Sequence, residues 1–262
     1  MDLRLRGKTA VITGASKGIG LSIARALAAE GVELTLCARS AGPLQRAAGE
    51  IADANGVRAH PYPADLSNSE AVQGLIAFAL AQMGGIDILV NNAGAIPAGT
   101  IDTLDDETWH RAYDLKLWGY LRLAKAALPG MKERRSGVIL NIIGNAGKRP
   151  AAGYIAGGIA NAGLMNFTAG LAQEAGPFGV RVVAINPGPV RTDRMEELIE
   201  RRARDRGVPV EQERAVMGRD IPLRRVAEAG EVADVAAFLV SDRASFVNGC
   251  VVPVEGGATM SL

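Results

Sequence analysis

Short apolar runs alternate along the chain with longer segments in which apolar residues return every three to four positions. That alternation is the pattern of a parallel β-sheet covered by helices on both faces. It predicts strands at Thr9–Thr13, Glu33–Ala38, Arg58–Tyr62, Ile86–Asn91, Gly137–Ile142, Arg181–Asn186 and Cys250–Val254, with helices near 18–30, 42–54, 68–83, 105–132, 153–176, 193–206 and 230–241. No Pro- or Ser-rich linker interrupts the series and no fixed-period repeat appears, so residues 1–262 are predicted to form a single domain, a doubly wound α/β fold with a seven-stranded parallel sheet. The irregular stretch is 189–227. It follows the C-terminal end of a strand, where open α/β sheets place their ligands, and is predicted to form a substrate lid.

Composition narrows the class. Hydrophobic residues at 48% and 32 glycines in 262 residues give a chain with a sizeable core and many tight turns, which excludes disordered and fibrous classes. The 29 basic and 28 acidic side chains nearly cancel, so no overall field draws nucleic acid or a membrane surface. Arg201, Arg202, Arg204 and Arg206 follow Glu196, Glu197 and Glu200 at helical spacing and read as a solvated amphipathic helix. Cys37 and Cys250 have apolar neighbours and read as small hydrophobes, which suits a reducing, cytoplasmic compartment. Arg4, Arg6 and Lys8 precede only a short apolar run, and no run of about 18 apolar residues follows, so neither export nor a membrane span is expected. His60 and His110 have no partner at metal-ligand spacing, so no metal site is expected.

The chemistry starts at Thr13-Gly14-Ala15-Ser16-Lys17-Gly18-Ile19-Gly20, between the first strand and a helix. Glycines 14 and 18 permit backbone conformations and close approach that a Cβ blocks, and Gly20 lets helix and strand pack tightly. The helix N-terminus then offers free N–H groups and a partial positive charge to a pyrophosphate. The spacing Thr-Gly-x-x-x-Gly-x-Gly resembles that of the short-chain dehydrogenase/reductase family, and the resemblance runs through nearly the whole chain. Asp65, followed by Leu66, is similar to the family's adenine-contacting acid. Asn91-Asn92-Ala93-Gly94 matches its Asn-Asn-Ala-Gly element, and Pro187-Gly188-Pro189-Val190-Arg191-Thr192 resembles the segment that holds the nicotinamide carboxamide. The resemblance implies a dinucleotide held by Gly14, Ser16, Lys17, Gly18, Ile19, Gly20, Asp65, Leu66, Asn92, Ala93, Gly94, Pro187, Gly188, Val190 and Thr192. Ala38 stands where relatives that use NAD carry an acid; Arg39 and Ser40 follow, and with Lys17 they favour the 2'-phosphate of NADP(H) over NAD(H).

Family members usually add an Asn, a Ser and a Tyr-x-x-x-Lys pair. The ammonium lowers the pKa of a phenol that otherwise titrates near 10, and the Ser hydroxyl steadies the developing alkoxide. Tyr154 is present here, but Gly158 stands four residues on, Gly144 occupies the Ser position and Lys116 the Asn position. One reading is a relocated cation: Lys116 reaches from the neighbouring helix into the space beside Gly158 and brings its ammonium to Tyr154. At about 4 Å and an effective dielectric near 20 such a pair is worth about 4 kcal/mol before desolvation. The other reading makes Lys116 structural and Tyr154 a packed aromatic. Asn145, next to Gly144, is a candidate hydrogen-bond donor to a substrate oxygen or a loop-shaping residue; Asn161, on the Tyr154 face of its helix, is a candidate to fill part of the Lys space.

The resemblance implies an NADP(H)-dependent oxidoreductase that reduces a carbonyl or oxidises an alcohol on a small molecule, assembled as a homodimer or homotetramer through small-residue helix faces at Ala156, Ala160 and Gly163. Two alternatives stay open: a dinucleotide-binding protein without turnover, and a lyase, dehydratase or isomerase that uses Tyr154 and Lys116 for proton transfer alone.

Overall fold

The computed structural model describes residues 1–94 and 96–259, apart from the side chain of Arg194. The elements are, in chain order, β1 (Thr9–Thr13), α1 (Gly18–Ala29), β2 (Glu33–Ala38), α2 (Ala41–Asn55), β3 (Ala59–Pro63), α3 (Ser69–Met83), β4 (Ile88–Asn91), α4 (Asp106–Tyr113), a π-helical segment (Asp114–Trp118) and α5 (Gly119–Arg134). They continue as β5 (Gly137–Ile142), α6 (Ile155–Ala175), β6 (Val180–Pro187), β7 (Val190–Arg191), α7 (Asp193–Arg206), α8 (Val210–Val216), β8 (Ala227–Glu228), α9 (Ala229–Val240) and β9 (Val251–Val254).

Seven strands form one parallel sheet in the order β3-β2-β1-β4-β5-β6-β9, and β7 and β8 pair separately. Alternate residues feed the two faces. Ala10, Ile12, Leu34, Leu36, Ile88 and Val90 pack against α1, α2 and α9, while Val11, Cys37, Leu89, Ile139 and Val182 pack against α3, α5 and α6. Helices on both sides leave the central strands almost dry, which is why they read as continuous apolar runs. Strand order reverses between β1 and β4, and the C-terminal ends of those two strands flank the crevice in which such sheets bind ligands.

A buried polar ladder spans this end of the sheet. The Asn91 amide donates to Asn141 Oδ1 at 2.9 Å, the Asn141 amide donates to Thr168 Oγ1 at 3.0 Å, and the Thr168 hydroxyl donates to the Leu164 carbonyl at 2.7 Å. Sheet and α6 are thereby fixed in register at the level where the site lies.

Three expectations change. The helix expected over 105–132 consists of α4 and α5 joined by the π-helical turn, a local insertion to which the hydrophobic period is blind. The helix expected from 153 begins at Ile155, leaving Tyr154 as its N-cap. The stretch 189–227 carries β7, α7, α8 and the start of β8, so it is mostly regular structure.

Cys37, fully buried in β2, has its thiol pKa pushed up to about 12, chiefly by burial. The unfolded thiol ionises near 9.0, so above that pH the unfolded state releases a proton that the folded state keeps. The contribution of Cys37 to stability is therefore complete below pH 9 and is lost as pH rises toward 12. In urea unfolding at pH 7, 9 and 10.5, the stability gap between wild type and Cys37→Ala should stay constant up to pH 9 and then narrow by up to about 1.4 kcal/mol per pH unit.

Candidate active site

The turn between β1 and α1 is built by exclusion of side chains. Gly14 and Gly18 adopt φ of 66° and 59°, in the left-handed region. A Cβ on Gly20 would overlap the Gly14 carbonyl and come within 2.5 Å of the Asn92 amide nitrogen. The turn is tied to the end of β4. Thr13 Oγ1 accepts from the backbone N–H of Asn92 at 2.9 Å and of Ala93 at 3.0 Å, and the Asn92 amide donates to the Thr13 carbonyl at 2.9 Å. Lys17, the N-cap of α1, gives the helix no side-chain cap, so the first-turn N–H groups stay available to an anion.

Arg39 and Ser40 are exposed at the end of β2, and Arg39 makes no ion pair or hydrogen bond among the described residues. Asp65 is exposed just after β3 and caps the next turn by accepting from the Ser67 N–H at 3.0 Å, while Leu66 is buried. Lys17 lies apart from this group: its ammonium is 3.8 Å from Asp193 and 3.9 Å from Glu197, both on α7. The expectation that it joins Arg39 on a 2'-phosphate thus meets a competing pair of carboxylates. On the same side Thr192 caps α7, and its methyl lies 3.4 Å from where a Cβ on Gly18 would be, so the start of α7 touches the glycine turn.

Beyond Asn92 the site runs to α6. Lys116, in the π-helical turn, lays its stem across Gly94, where a Cβ would come within 2.9 Å of Lys116 Cδ. Its ammonium donates to the Ile143 carbonyl at 2.6 Å. Tyr154 is half-buried at the start of α6, with its ring against the cluster of Ile96, Ala112 and Ala160. Its backbone is pinned by a bridge to Gly99 and by donation of its N–H to the Ala151 carbonyl at 2.9 Å.

Lys116 and Asn145, each open to two readings from the sequence, both make hydrogen bonds to groups other than Tyr154. No hydrogen bond joins Lys116 to Tyr154, and no Lys116 atom lies within 4 Å of a Cβ built on Gly158, whose near neighbour is the Ala146 carbonyl at 3.2 Å. The Ile143 carbonyl, at the mouth of β5, intercepts the ammonium first. Asn145 donates its amide to Glu255, a buried carboxylate just after β9 that also accepts from the Thr259 N–H at 2.9 Å. That contact closes the loop after β5 against the C-terminal segment, which favours the loop-shaping reading of Asn145. Asn161 is buried, and its amide nitrogen is 3.2 Å from where a Cβ on Gly144 would project.

Sequence reasoning missed Glu255 as the anchor of Asn145, because their separation along the chain carries no periodic signal. It also missed Tyr113, whose hydroxyl is buried without a hydrogen-bond partner among the described residues and whose pKa is raised by burial. Pro187, Gly188 and Val190 lie where β6 runs into β7, and the Gly188 N–H donates to the Val254 carbonyl at 2.9 Å. Between α7, α8 and residues 224–226 lies a cavity of about 170 Å³ lined by Met195, Ile199, Met217, Arg191 and Arg214. Among the described residues no group of three or more His, Cys, Asp or Glu side chains is arranged to hold a metal ion, and no helix is long and apolar enough to cross a membrane.

Residues 14–259 match the family model described as enoyl-(acyl carrier protein) reductase. The chain is similar to 3-oxoacyl-(acyl-carrier-protein) reductase FabG of Pseudomonas aeruginosa, with 38% identity over 99% of this chain and 100% of the relative. Among solved structures, L-sorbose reductase from Gluconobacter frateurii, complexed with NADPH and L-sorbose, superposes with a TM-score of 0.96 at 33% identity, with both chains fully covered. An NAD+-bound xylitol dehydrogenase superposes with a TM-score of 0.91 at 28% identity, covering 97% of this chain and 100% of the other.

The crowding at Gly20 gives a direct test of the turn. Gly20→Ala should lower the unfolding free energy by about 1–3 kcal/mol, because its methyl meets backbone and the clamped Asn92 amide. Gly49→Ala, in α2 with nothing within 4 Å of the added Cβ, should be neutral or stabilising by up to about 1 kcal/mol. Urea titrations of both variants beside wild type measure the two effects.

Proposed function

The chain belongs to the short-chain dehydrogenase/reductase family of oxidoreductases, and on that footing we propose that it moves a hydride between NADP(H) and a carbonyl or alcohol group of a small molecule. The observation that carries the proposal is the clamped glycine turn, with the uncapped start of α1 above it. A pyrophosphate suits that turn because the missing Cβ atoms of Gly14 and Gly20 let it close tightly against Asn92, and α1 begins with no side-chain cap on its first-turn N–H groups. NADP(H), when bound, supplies or accepts the hydride. Gly14, Ser16, Gly18, Ile19 and Gly20 line the diphosphate; Asp65, Leu66, Asn92, Ala93 and Gly94 border the adenosine; Pro187, Gly188, Val190 and Thr192 border the nicotinamide. Arg39 is the cation for the 2'-phosphate, since it is exposed and has no carboxylate partner, whereas Lys17 answers to Asp193 and Glu197.

In the reducing direction the Tyr154 hydroxyl gives its proton to the carbonyl oxygen as the carbonyl carbon takes the hydride; in the oxidising direction the Tyr154 oxygen takes the proton back. Lys116, whose ammonium is held at the Ile143 carbonyl and not hydrogen-bonded to Tyr154, is the cation proposed to serve that proton transfer. Asn145 shapes the loop after β5 through Glu255. Residues 189–227 form the lid, whose cavity mixes Met195, Ile199, Met217 and Val226 with Arg and Glu side chains and so suits a substrate that is partly apolar and partly polar. Ala156 and Ala160 are buried inside the chain with Ile96 and Ala112 and offer no face to a partner, so the homodimer or homotetramer is proposed to form across the exposed apolar Trp118 and Ile159 instead.

One observation favours a second reading, dinucleotide binding without turnover: the Tyr154 hydroxyl makes no hydrogen bond among the described residues, and Lys116 is engaged elsewhere. The 340 nm absorbance of NADPH separates the two. With L-sorbose, an acetoacetyl thioester and simple ketones as probes, turnover supports hydride transfer, and NADPH binding with no decay on any probe favours the second reading. In the oxidising direction, Lys116→Met should lower kcat at least tenfold with little change in KM for NADP+; an unchanged kcat removes Lys116 from the proton transfer.

The cofactor preference has its own test. Arg39→Asp should weaken NADPH at least tenfold by calorimetry and tighten NADH, because it replaces the proposed phosphate partner with a repelling charge that suits a ribose diol. Equal affinities before and after would show that Arg39 plays no part in the choice.

A further inference from the structure

A helix pays for glycine in lost backbone entropy, so adjacent glycines at its start call for a reason. In α6 the two differ sharply. A Cβ on Gly158 meets only the Ala146 carbonyl at 3.2 Å, whereas a Cβ on Gly157 would overlap Cε1 and Cζ of the Tyr154 ring and come within 2.5 Å of its Cδ1. The ring therefore occupies the space that a methyl at 157 would fill. Elsewhere on α6, Gly163 would make an ordinary contact at 3.6 Å with Leu117 and Gly170 has nothing within 4 Å, so of these four glycines only 157 is excluded from carrying a side chain by Tyr154.

The backbone of Tyr154 cannot absorb the difference. It is held by the bridge to Gly99, by the Gly99 N–H donating to the Gly153 carbonyl at 2.8 Å, and by its own N–H on Ala151. What remains adjustable is the rotation of the side chain, and its hydroxyl has no hydrogen bond among the described residues to fix it. On one side stands the apolar cluster of Ile96, Ala112 and Ala160; on the other is the bare backbone of Gly157. We propose that Gly157 is a positioning residue for Tyr154: its missing side chain sets where the ring lies, and so where the phenol oxygen meets a substrate. The functional half of this inference rests on the reading of Tyr154 as the acid and base, but the placement of the ring does not.

A double-mutant cycle on thermal stability tests the placement without any substrate. Gly157→Ala should lower the melting temperature in the presence of the Tyr154 ring, where the methyl has no room. In a Tyr154→Ala background the same change should raise it, since alanine is the better helix former once the ring is gone. Gly170→Ala, on the same helix in open space, should shift the melting temperature equally in both backgrounds. If Gly157→Ala also has the same sign and size in both, the proposal is overturned. Should the single variant fail to fold, recovery of a cooperative transition in the Tyr154→Ala, Gly157→Ala double variant is the supporting result, and its absence the contrary one. For the functional half, NADPH oxidation on the acetoacetyl thioester should lose at least tenfold in kcat in Gly157→Ala, with little change in KM for NADPH and none in Gly170→Ala. An unaffected kcat, with Tyr154→Phe inactive, sinks the functional half. A Tyr154→Phe variant as fast as wild type sinks the acid–base reading instead and leaves the stability cycle to judge Gly157.

Discussion

The hydrogen bonds between Thr13 and the Asn92–Ala93 segment fix everything at the C-terminal edge of the sheet. Parallel strands end in loops, and two loops leaving adjacent strands toward opposite faces have no intrinsic reason to stay together. Here the Thr13 hydroxyl accepts two backbone N–H groups from beyond β4 and donates to the Val90 carbonyl at 3.3 Å, while the Asn92 amide reaches back to the Thr13 and Gly14 carbonyls. Thr13 is fully buried, so losing one partner would strand polar groups without water, at a cost of about 1–3 kcal/mol each. Because Gly14 and Gly20 press against the same amide, the shape of the phosphate cradle and the course of the chain toward Gly94 and Lys116 are one structure.

A different kind of force holds the segment over that cradle. Arg214 bridges Glu196 and Glu211, Arg206 pairs with Glu213 at 2.8 Å, Arg191 with Glu228 at 2.9 Å, and Arg225 with Glu231 at 2.6 Å. Of these carboxylates only Glu213 is buried, and exposed pairs contribute about 0–1 kcal/mol each. Few apolar side chains of α7 reach the interior, Ile199 and Ala203 among them. A segment so attached opens at lower free energy than the sheet, which suits the role proposed for residues 189–227. Lys17, which sequence spacing assigns to the cofactor, also lies within ion-pair distance of Asp193 and Glu197 on α7, an exposed pairing of the same weak kind.

What the sequence makes legible follows from the range of each interaction. Buried parallel strands are runs of apolar residues, and six of the seven expected spans start at or within one residue of the observed strand; the fourth starts two residues early, where Asp87 still donates its N–H to the Thr9 carbonyl and accepts from the Val138 N–H while its carboxylate takes the Thr9 N–H and hydroxyl. The glycine turn is legible because only glycine tolerates its φ values and its crowding. The π-helical turn is not, since one extra residue in a helix leaves apolar spacing nearly unchanged while rotating everything after it. Lys116 lies in that turn, where its stem passes over Gly94 and its ammonium reaches the Ile143 carbonyl, a contact that apolar spacing does not encode. Asn145 and Glu255 meet through the stacking of distant strand ends, which no local pattern encodes.

The two glycines that stand where the family resemblance suggests a Ser and a Lys are physically unlike. Gly144 has φ of 132° and ψ of 153°, a conformation closed to L side chains, and the direction a Cβ would take there leads to the buried amide of Asn161. Its N–H donates to Asn186 Oδ1 at 3.2 Å, so the unusual backbone is held from the β6 side as well. Gly158 has ordinary helical geometry and only one carbonyl near its vacant Cβ direction. A hydroxyl returned to position 144 would need the loop after β5 rebuilt around Asn161 and Asn186, whereas a side chain at 158 would need only a small shift of the Ala146 carbonyl. The two positions therefore depart from the family pattern for separate reasons: the loop at 144 is committed to its own backbone path, held by Asn186 and faced by Asn161, whereas 158 is an ordinary helical position beside the Ala146 carbonyl.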